Sequence, residues 1–238
     1  MSLQSENSLY EKSQENPAVL VKILRDSMTK YWESTCHNPY VLNTVDEKSE
    51  EYQYAQQLFE RTAGDFVITK LERVENPYLL GFYLLKKKNM WEECGHVAEK
   101  ILFHGTSKTS VDSICRFNFD WRRSGSSKGA SFGKGVYFTS DVSYANQYTL
   151  GDNVIILSKM LVGNKVKGLP SFEIIPEPFD TATNRNETIF VKFEDNDFYP
   201  QYVIQYRFNN NIIIIKFSFL LRKVFYTIFL YFTIFMFM

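Results

Sequence analysis

The sequence predicts an α+β domain, and three observations carry that prediction. Helix-spaced apolar residues dominate up to Trp91. From Lys100 onward, short β-branched and aromatic runs dominate, separated by glycines and polar turns. A single helical stretch, Ser110 to Phe117, interrupts them. Helices first and strands later is the order of an α+β chain, whereas regular βα alternation would imply a parallel sheet. No internal repeat of about 20–50 residues is visible.

Each element has a local reason. Residues 1–15 are polar, and Asn16-Pro17 reads as an N-cap with Pro at the first helical position. Leu20, Val21, Leu24, Met28 and Trp32 follow at helical spacing. His37 to Lys48 reads as extended or looped. Ser49 to Phe66 predicts a helix with an acidic first turn (Glu50, Glu51) and an apolar face of Tyr52, Ala55, Leu58 and Phe59. Phe66 to Arg73 alternates and is β-branched, so it predicts a strand. Asn76 to Trp91 returns to helix, with Lys86-Lys87-Lys88 on a solvated face near its end. Strand candidates then follow at 101–104, 135–139, 153–163, 189–193 and 202–208, with a short helix predicted over Ser143 to Leu150.

Composition excludes several function classes. The 238 residues carry 27 basic and 27 acidic side chains, so the chain is not a polycation and no direct nucleic-acid binding is expected. Hydrophobic residues make up 45%, too many for a disordered chain. The start is polar and acidic, without a basic or apolar leader, and the sequon at Asn186 is read as chance. Cys36, Cys94 and Cys115 are an odd, widely spaced set that does not form a secreted disulfide framework. Neither Cys36-His37 nor Cys94-Gly95-His96 has the paired spacing of a zinc site, so no metal is expected. These features point to a reducing, cytosolic compartment.

Phosphate loops and hydrolase elbows are absent: Gly133-Lys134-Gly135 lacks the rest of a P-loop, and there is no G-x-S-x-G. What remains is an apolar strand that ends in His104-Gly105-Thr106-Ser107. Gly105 there permits a close backbone approach to a ligand. Taken alone, His104 is more simply a strand-end histidine bonded to a nearby carbonyl. A glycine turn then runs into Val136-Tyr137-Phe138, and Tyr148 follows eleven residues after Tyr137. A Pro turn at Tyr199-Pro200 opens a strongly alternating strand through Tyr206.

Taken together, LFHGTS (102–107), NFDWR (118–122), FGKGVYF (132–138) and YPQYVIQY (199–206) resemble the ADP-ribosyltransferase catalytic domain of the poly(ADP-ribose) polymerase family. The resemblance is to its mono-ADP-ribosylating branch, which includes CCCH zinc-finger members, and it covers roughly residues 31–207. It implies an ADP-ribosyltransferase-like fold of two antiparallel-rich packed sheets with flanking helices. It also implies that NAD+ is the co-substrate and that proteins accept the ADP-ribose. By position, His104 matches the histidine that bonds an NAD ribose hydroxyl, and Gly105 matches the residue whose backbone holds the nicotinamide carboxamide. Thr106 is carried over as part of the same binding strand. Tyr137 and Tyr148 match two tyrosines that sandwich the nicotinamide ring, a sensible arrangement for a flat aromatic amide.

Two positions depart from the family. Polymerising members have a glutamate where Val203 stands, with Ile204 as the neighbouring register. A carboxylate there would stabilise oxocarbenium character and polarise an acceptor hydroxyl. Val203 does neither, so single-unit transfer to a nucleophilic Asp, Glu or Cys is expected rather than chain growth. The family usually has serine at Ala145, whose hydroxyl bonds the carboxamide; its loss costs about 0.5–1.5 kcal/mol unless Asn146 or a water compensates. An inactive transferase-fold module that binds NAD, ADP-ribose or a protein partner is the alternative reading.

The chain therefore divides into an N-terminal extension (1–30), a catalytic domain (31–207) and a hydrophobic tail (208–238). Residues 224–238 are an uncharged run preceded by Arg222-Lys223, short for a spanning helix of about 20 residues. The run reads either as a tail anchor, giving membrane attachment, or as a non-native end. Without it the expected location is cytoplasmic or nuclear.

Overall fold

Side-chain caps mark where the first helices begin. The computed structural model describes residues 29–32, 38–123 and 130–209. After β1 (Val41–Thr44), Ser49 Oγ accepts from the Tyr52 amide at 3.1 Å and starts α1 (Glu50–Glu60). Strand β2 (Phe66–Glu75) runs into Asn76, whose Oδ1 accepts from the Leu79 amide at 3.0 Å and starts α2 (Pro77–Cys94). Pro77 occupies the first turn, where its missing N–H costs nothing. The remaining elements are β3 (Ala98–Thr106), α3 (Val111–Phe117), β4 (Val136–Thr139), α4 (Val142–Asn146), β5 (Val154–Val162), β6 (Lys165–Lys167), β7 (Thr181–Thr183), β8 (Ile189–Lys192) and β9 (Phe198–Phe208).

The α+β class and its antiparallel bias hold. In place of two separate sheets, hydrogen bonding runs through nine strands in the order β1-β2-β9-β5-β3-β4-β8-β7-β6. Among the described residues, only β6 and β7 pair in parallel. The two expected halves nevertheless remain visible. Strands β3 and β5 match over nine residue pairs, whereas β3 and β4 share one, Phe103 with Thr139. That thin seam is where the two halves meet.

Side-chain alternation sends apolar groups to both faces. On one face, Leu71, Phe103, Ile155, Leu157, Ile204 and Tyr206 pack against Tyr52, Ala55 and Phe59 of α1 and Val142 and Ala145 of α4. On the other, Leu102, Ile156, Phe138 and Phe198 pack with Ile114 of α3 and Phe119. Helix α2 adds a third cluster through Leu79, Leu80, Tyr83 and Met90, with Trp32 against it. The helix predicted before Trp32 and the tail after residue 209 lie outside the described residues. Among the described residues, no helix is long and apolar enough to cross a membrane.

One charged cluster holds the far half together. Lys192 of β8 is fully buried, and its Nζ lies 2.8 Å from Asp180 and 2.9 Å from Asp197. It also donates to Thr181 Oγ1 at 3.0 Å. This ties β7, β8 and the entry to β9. Burial opposes the charge on Asp180, but the Lys192 ammonium beside it holds its carboxyl below the usual range. Burial prevails at Asp197, whose pKa is raised. Removing one member of such a group leaves an uncompensated charge in the interior. Lys192→Met should therefore lower unfolding stability by about 3–5 kcal/mol in a urea titration, and an unchanged midpoint would show that the cluster contributes nothing.

Candidate functional site

Beyond the Phe103–Thr139 pair, β3 and β4 have no further ladder pairing, and a cleft of about 910 Å³ opens along the seam. That volume lies near the upper end of the usual range for small-molecule sites, about 300–1,000 Å³. The cleft is lined by His104, Gly105 and Thr106 from β3, Tyr137 from β4, and Ala145 and Tyr148 from α4 and the turn after it. All six binding residues read from the sequence thus share one cavity.

His104 continues the seam by its side chain. Its Nδ1 lies 2.9 Å from the Tyr137 carbonyl, so Nδ1–H donates across the gap between β3 and β4. Phe119 packs edge-on to the imidazole at 4.8 Å and Phe138 tilts against it at 5.6 Å. This apolar bed desolvates the ring and pushes its pKa below the ordinary 6.5, against a weaker upward pull from the Tyr137 carbonyl. The ring is therefore neutral near pH 7. With Nδ1 carrying the proton, Nε2 is the lone-pair acceptor.

Tyr137 is held at its tip. Its hydroxyl donates to the Gly133 carbonyl at 2.8 Å and accepts from the Phe132 amide at 2.9 Å. Gly133 adopts φ +115°, and that turn is what brings the two backbone groups to the hydroxyl.

The opposite wall rests on Gly105. A Cβ at Gly105 would stand 1.8 Å from the Ala145 carbonyl oxygen and 3.3 Å from Tyr148 Cβ. The sequence reading reserved this glycine for close approach of a ligand. The structure fills the Cβ side with the end of α4 instead. The α4 segment is also shorter than predicted: the helix ends at Asn146, and Tyr148 stands in the following turn with its amide bonded to Ala145 O at 3.0 Å. Ala145 is 1% exposed, packed on the α1 face of the sheet. Asn146 cannot replace the missing serine hydroxyl from where it stands, because its Oδ1 accepts from Tyr206 at 2.6 Å and it does not line the cleft.

Val203 is the predicted site residue that the fold does not bring to the cleft. Register places it in one row with His104: His104 pairs with Ile156, Ile156 with Val203, and Val203 with Glu72. It therefore shares the face of His104, two strands or about 10 Å away. Ile204 points to the opposite face, into the α1 cluster. Val203 is 1% exposed and sits under α3 against Val74, Cys115 and Val154. The surrounding burial pushes the Cys115 thiol up to about 12, which makes it inert.

Further cleft residues were given no role by the sequence, although Ser107, Asn118 and Arg122 stand in its motifs. Ser107, Ser110 and Ser113 line one end, with Phe117 and Asn118 beside them. At the mouth, Arg122 pairs with Asp195 at 2.8 Å. Tyr144 lines the cleft beside Tyr148, and their hydroxyls are 3.0 Å apart. Only the spacing of four residues between two tyrosines hinted at that pair.

Comparison with known proteins follows this geometry. A family model described as the poly(ADP-ribose) polymerase catalytic domain matches residues 49–175. Protein mono-ADP-ribosyltransferase PARP12 of Homo sapiens is 39% identical over 196 residues, covering 76% of this chain and 28% of that protein. Its Mus musculus counterpart is 40% identical over 177 residues, covering 68% and 25%. Protein mono-ADP-ribosyltransferase PARP11 of Mus musculus is 29% identical over 214 residues, covering 75% and 64%. The chain thus spans about a quarter of the length of the two PARP12 proteins.

Two outcomes are expected from the site. Val203→Glu places a carboxylate among valines and a cysteine, so it should destabilise the fold by several kcal/mol, about 2–4 in a denaturant titration, and should not produce long chains. Long polymers from a stable variant would refute this. His104 should titrate below 6.5 when its ring proton is followed by NMR. Because the unfolded imidazole takes up its proton first, His104 should make the fold less stable as pH falls through about 6.5. A midpoint above 6.5 would contradict the desolvated setting.

Proposed function

Because the chain belongs to the poly(ADP-ribose) polymerase catalytic-domain family, we propose that it breaks the nicotinamide–ribose bond of NAD+ and transfers one ADP-ribose to a protein side chain. The observation that supports this most is the single cleft that collects His104, Gly105, Thr106, Tyr137, Ala145 and Tyr148. In this reading Nε2 of the neutral His104 accepts from a ribose hydroxyl, and the rings of Tyr137 and Tyr148 flank nicotinamide. The bond from ribose C1′ to the pyridinium nitrogen breaks, and nicotinamide leaves with the electron pair. The acceptor attacks C1′: a carboxylate does so as the anion with no proton to release, and a thiol gives its proton to solvent. The cleft contributes mainly by binding NAD+ and orienting both reactants.

Single-unit transfer is consistent with Val203, which lies buried outside the cleft lining. An apolar, buried side chain supplies no carboxylate to orient a ribose hydroxyl as the next acceptor. A nucleophilic Asp, Glu or Cys on a target protein needs less help. The acceptors are proteins in a cytoplasmic or nuclear setting, and the tail at 224–238 is the segment through which membrane attachment would occur. The second reading, a non-catalytic NAD-binding module, draws on one observation: Ala145 lacks the hydroxyl, and Asn146 is engaged with Tyr206.

Labelled NAD+ decides between them. Transfer of label to the protein itself or to a lysate is expected; no label together with no thermal shift by NAD+ would sink the enzyme reading. His104→Ala should abolish labelling. Ala145→Ser should restore a carboxamide bond and lower the KM for NAD+ about 2- to 10-fold. An unchanged KM would show that the position is already compensated.

A further inference from the structure

The two walls of the cleft meet behind the ligand space. Tyr137 on β4 and Tyr144 on α4 both pack on one apolar cluster built from Ile175, Ala182, Val191 and Phe193. Tyr144 then reaches Tyr148: the hydroxyls are 3.0 Å apart, and the rings lie 5.4 Å apart, tilted by 49°. Burial raises the Tyr144 pKa, and the hydrogen bond to Tyr148 raises it further, so the Tyr144 hydroxyl keeps its proton.

Tyr148 lies outside regular secondary structure. It lies beyond the end of α4, a helix of five residues, in a turn closed by a 3.0 Å bond to Ala145 O. Tyr137, by contrast, is held by two backbone bonds at its hydroxyl. A flat ring between two aromatic faces needs them about 7 Å apart, at contact distance on both sides.

We propose that Tyr144 is a positioning residue: it braces Tyr148 against the cluster that also seats Tyr137, and so sets the width of the slot for the nicotinamide ring. This rests on the proposed reading of the cleft as an NAD+ site. Tyr144 acts through Tyr148 and need not touch the ligand. Its effect belongs to binding of the flat amide, not to bond cleavage.

The test is a double-mutant cycle with benzamide, a flat aromatic amide that is not consumed. Tyr144→Phe and Tyr148→Phe keep both rings and their packing and remove one hydroxyl each. Each single variant of the full chain should bind benzamide about 3- to 10-fold more weakly by calorimetry. The double variant should bind no more weakly than the weaker single, because both remove the same bond. For Tyr144→Phe, the KM for NAD+ should rise by a similar factor while kcat stays within about twofold. Multiplying losses in the double variant, unchanged binding by Tyr144→Phe, or a fall in kcat at constant KM would each overturn the proposal. If the wild-type chain binds neither benzamide nor NAD+, the NAD+ reading of the cleft itself falls, and this inference with it. Wild-type binding with indifferent variants removes this inference alone.

Discussion

The contact between Gly105 and the Ala145 carbonyl is the constraint on which the cleft depends. A main-chain oxygen occupies the space where any other residue would carry Cβ, so β3 and α4 meet backbone to backbone. A five-residue helix cannot hold that position by its own hydrogen bonds. It is pinned from outside instead. Asp141 caps it by accepting from the Tyr144 amide at 3.1 Å. Thr62, just past α1, accepts from the Val142 amide at 2.9 Å and from Ser143 Oγ at 2.8 Å. The position of Tyr148 is thus inherited from the end of α1, through α4, to a glycine on the sheet.

The second organising feature is the distribution of aromatic side chains. Phe119, Phe138 and Phe198 pack on one another, and Phe119 and Phe138 cover one side of the His104 imidazole. Tyr137, Tyr144 and Tyr148 keep their hydroxyls bonded while presenting ring surface to the cavity. One aromatic group therefore tunes a proton, and the other shapes a slot. Both are reached by strands and turns that neighbour one seam.

The sequence exposed what is local. The helices beginning near Ser49 and Asn76 were legible because apolar spacing and an acidic first turn are properties of neighbouring residues. The cleft residues His104, Gly105, Tyr137 and Tyr148 were legible because the short motifs that carry them resemble those of the family. Strands β6 and β7 escaped notice because three residues cannot display alternation. The register row was also invisible, since pairing of β3, β5 and β9 joins residues some 50 to 100 positions apart. For the same reason nothing before the fold revealed that α3 covers Val203, or that Asn146 is taken by Tyr206. Tyr144 was hidden differently: a tyrosine one residue from a family position looks like filler until its hydroxyl is seen against its neighbour's.

His104 has a second role that changes how the position should be read. Across the seam, strand pairing supplies one residue pair, and the next link between β3 and β4 is the imidazole bonded to the Tyr137 carbonyl. The side chain stands in for a missing rung. Replacing this ring would remove that link between the two half-sheets as well as any contact to a ligand. The side chain that faces the cleft is thus also part of the frame that shapes it, so ligand binding and the junction of the half-sheets share one residue.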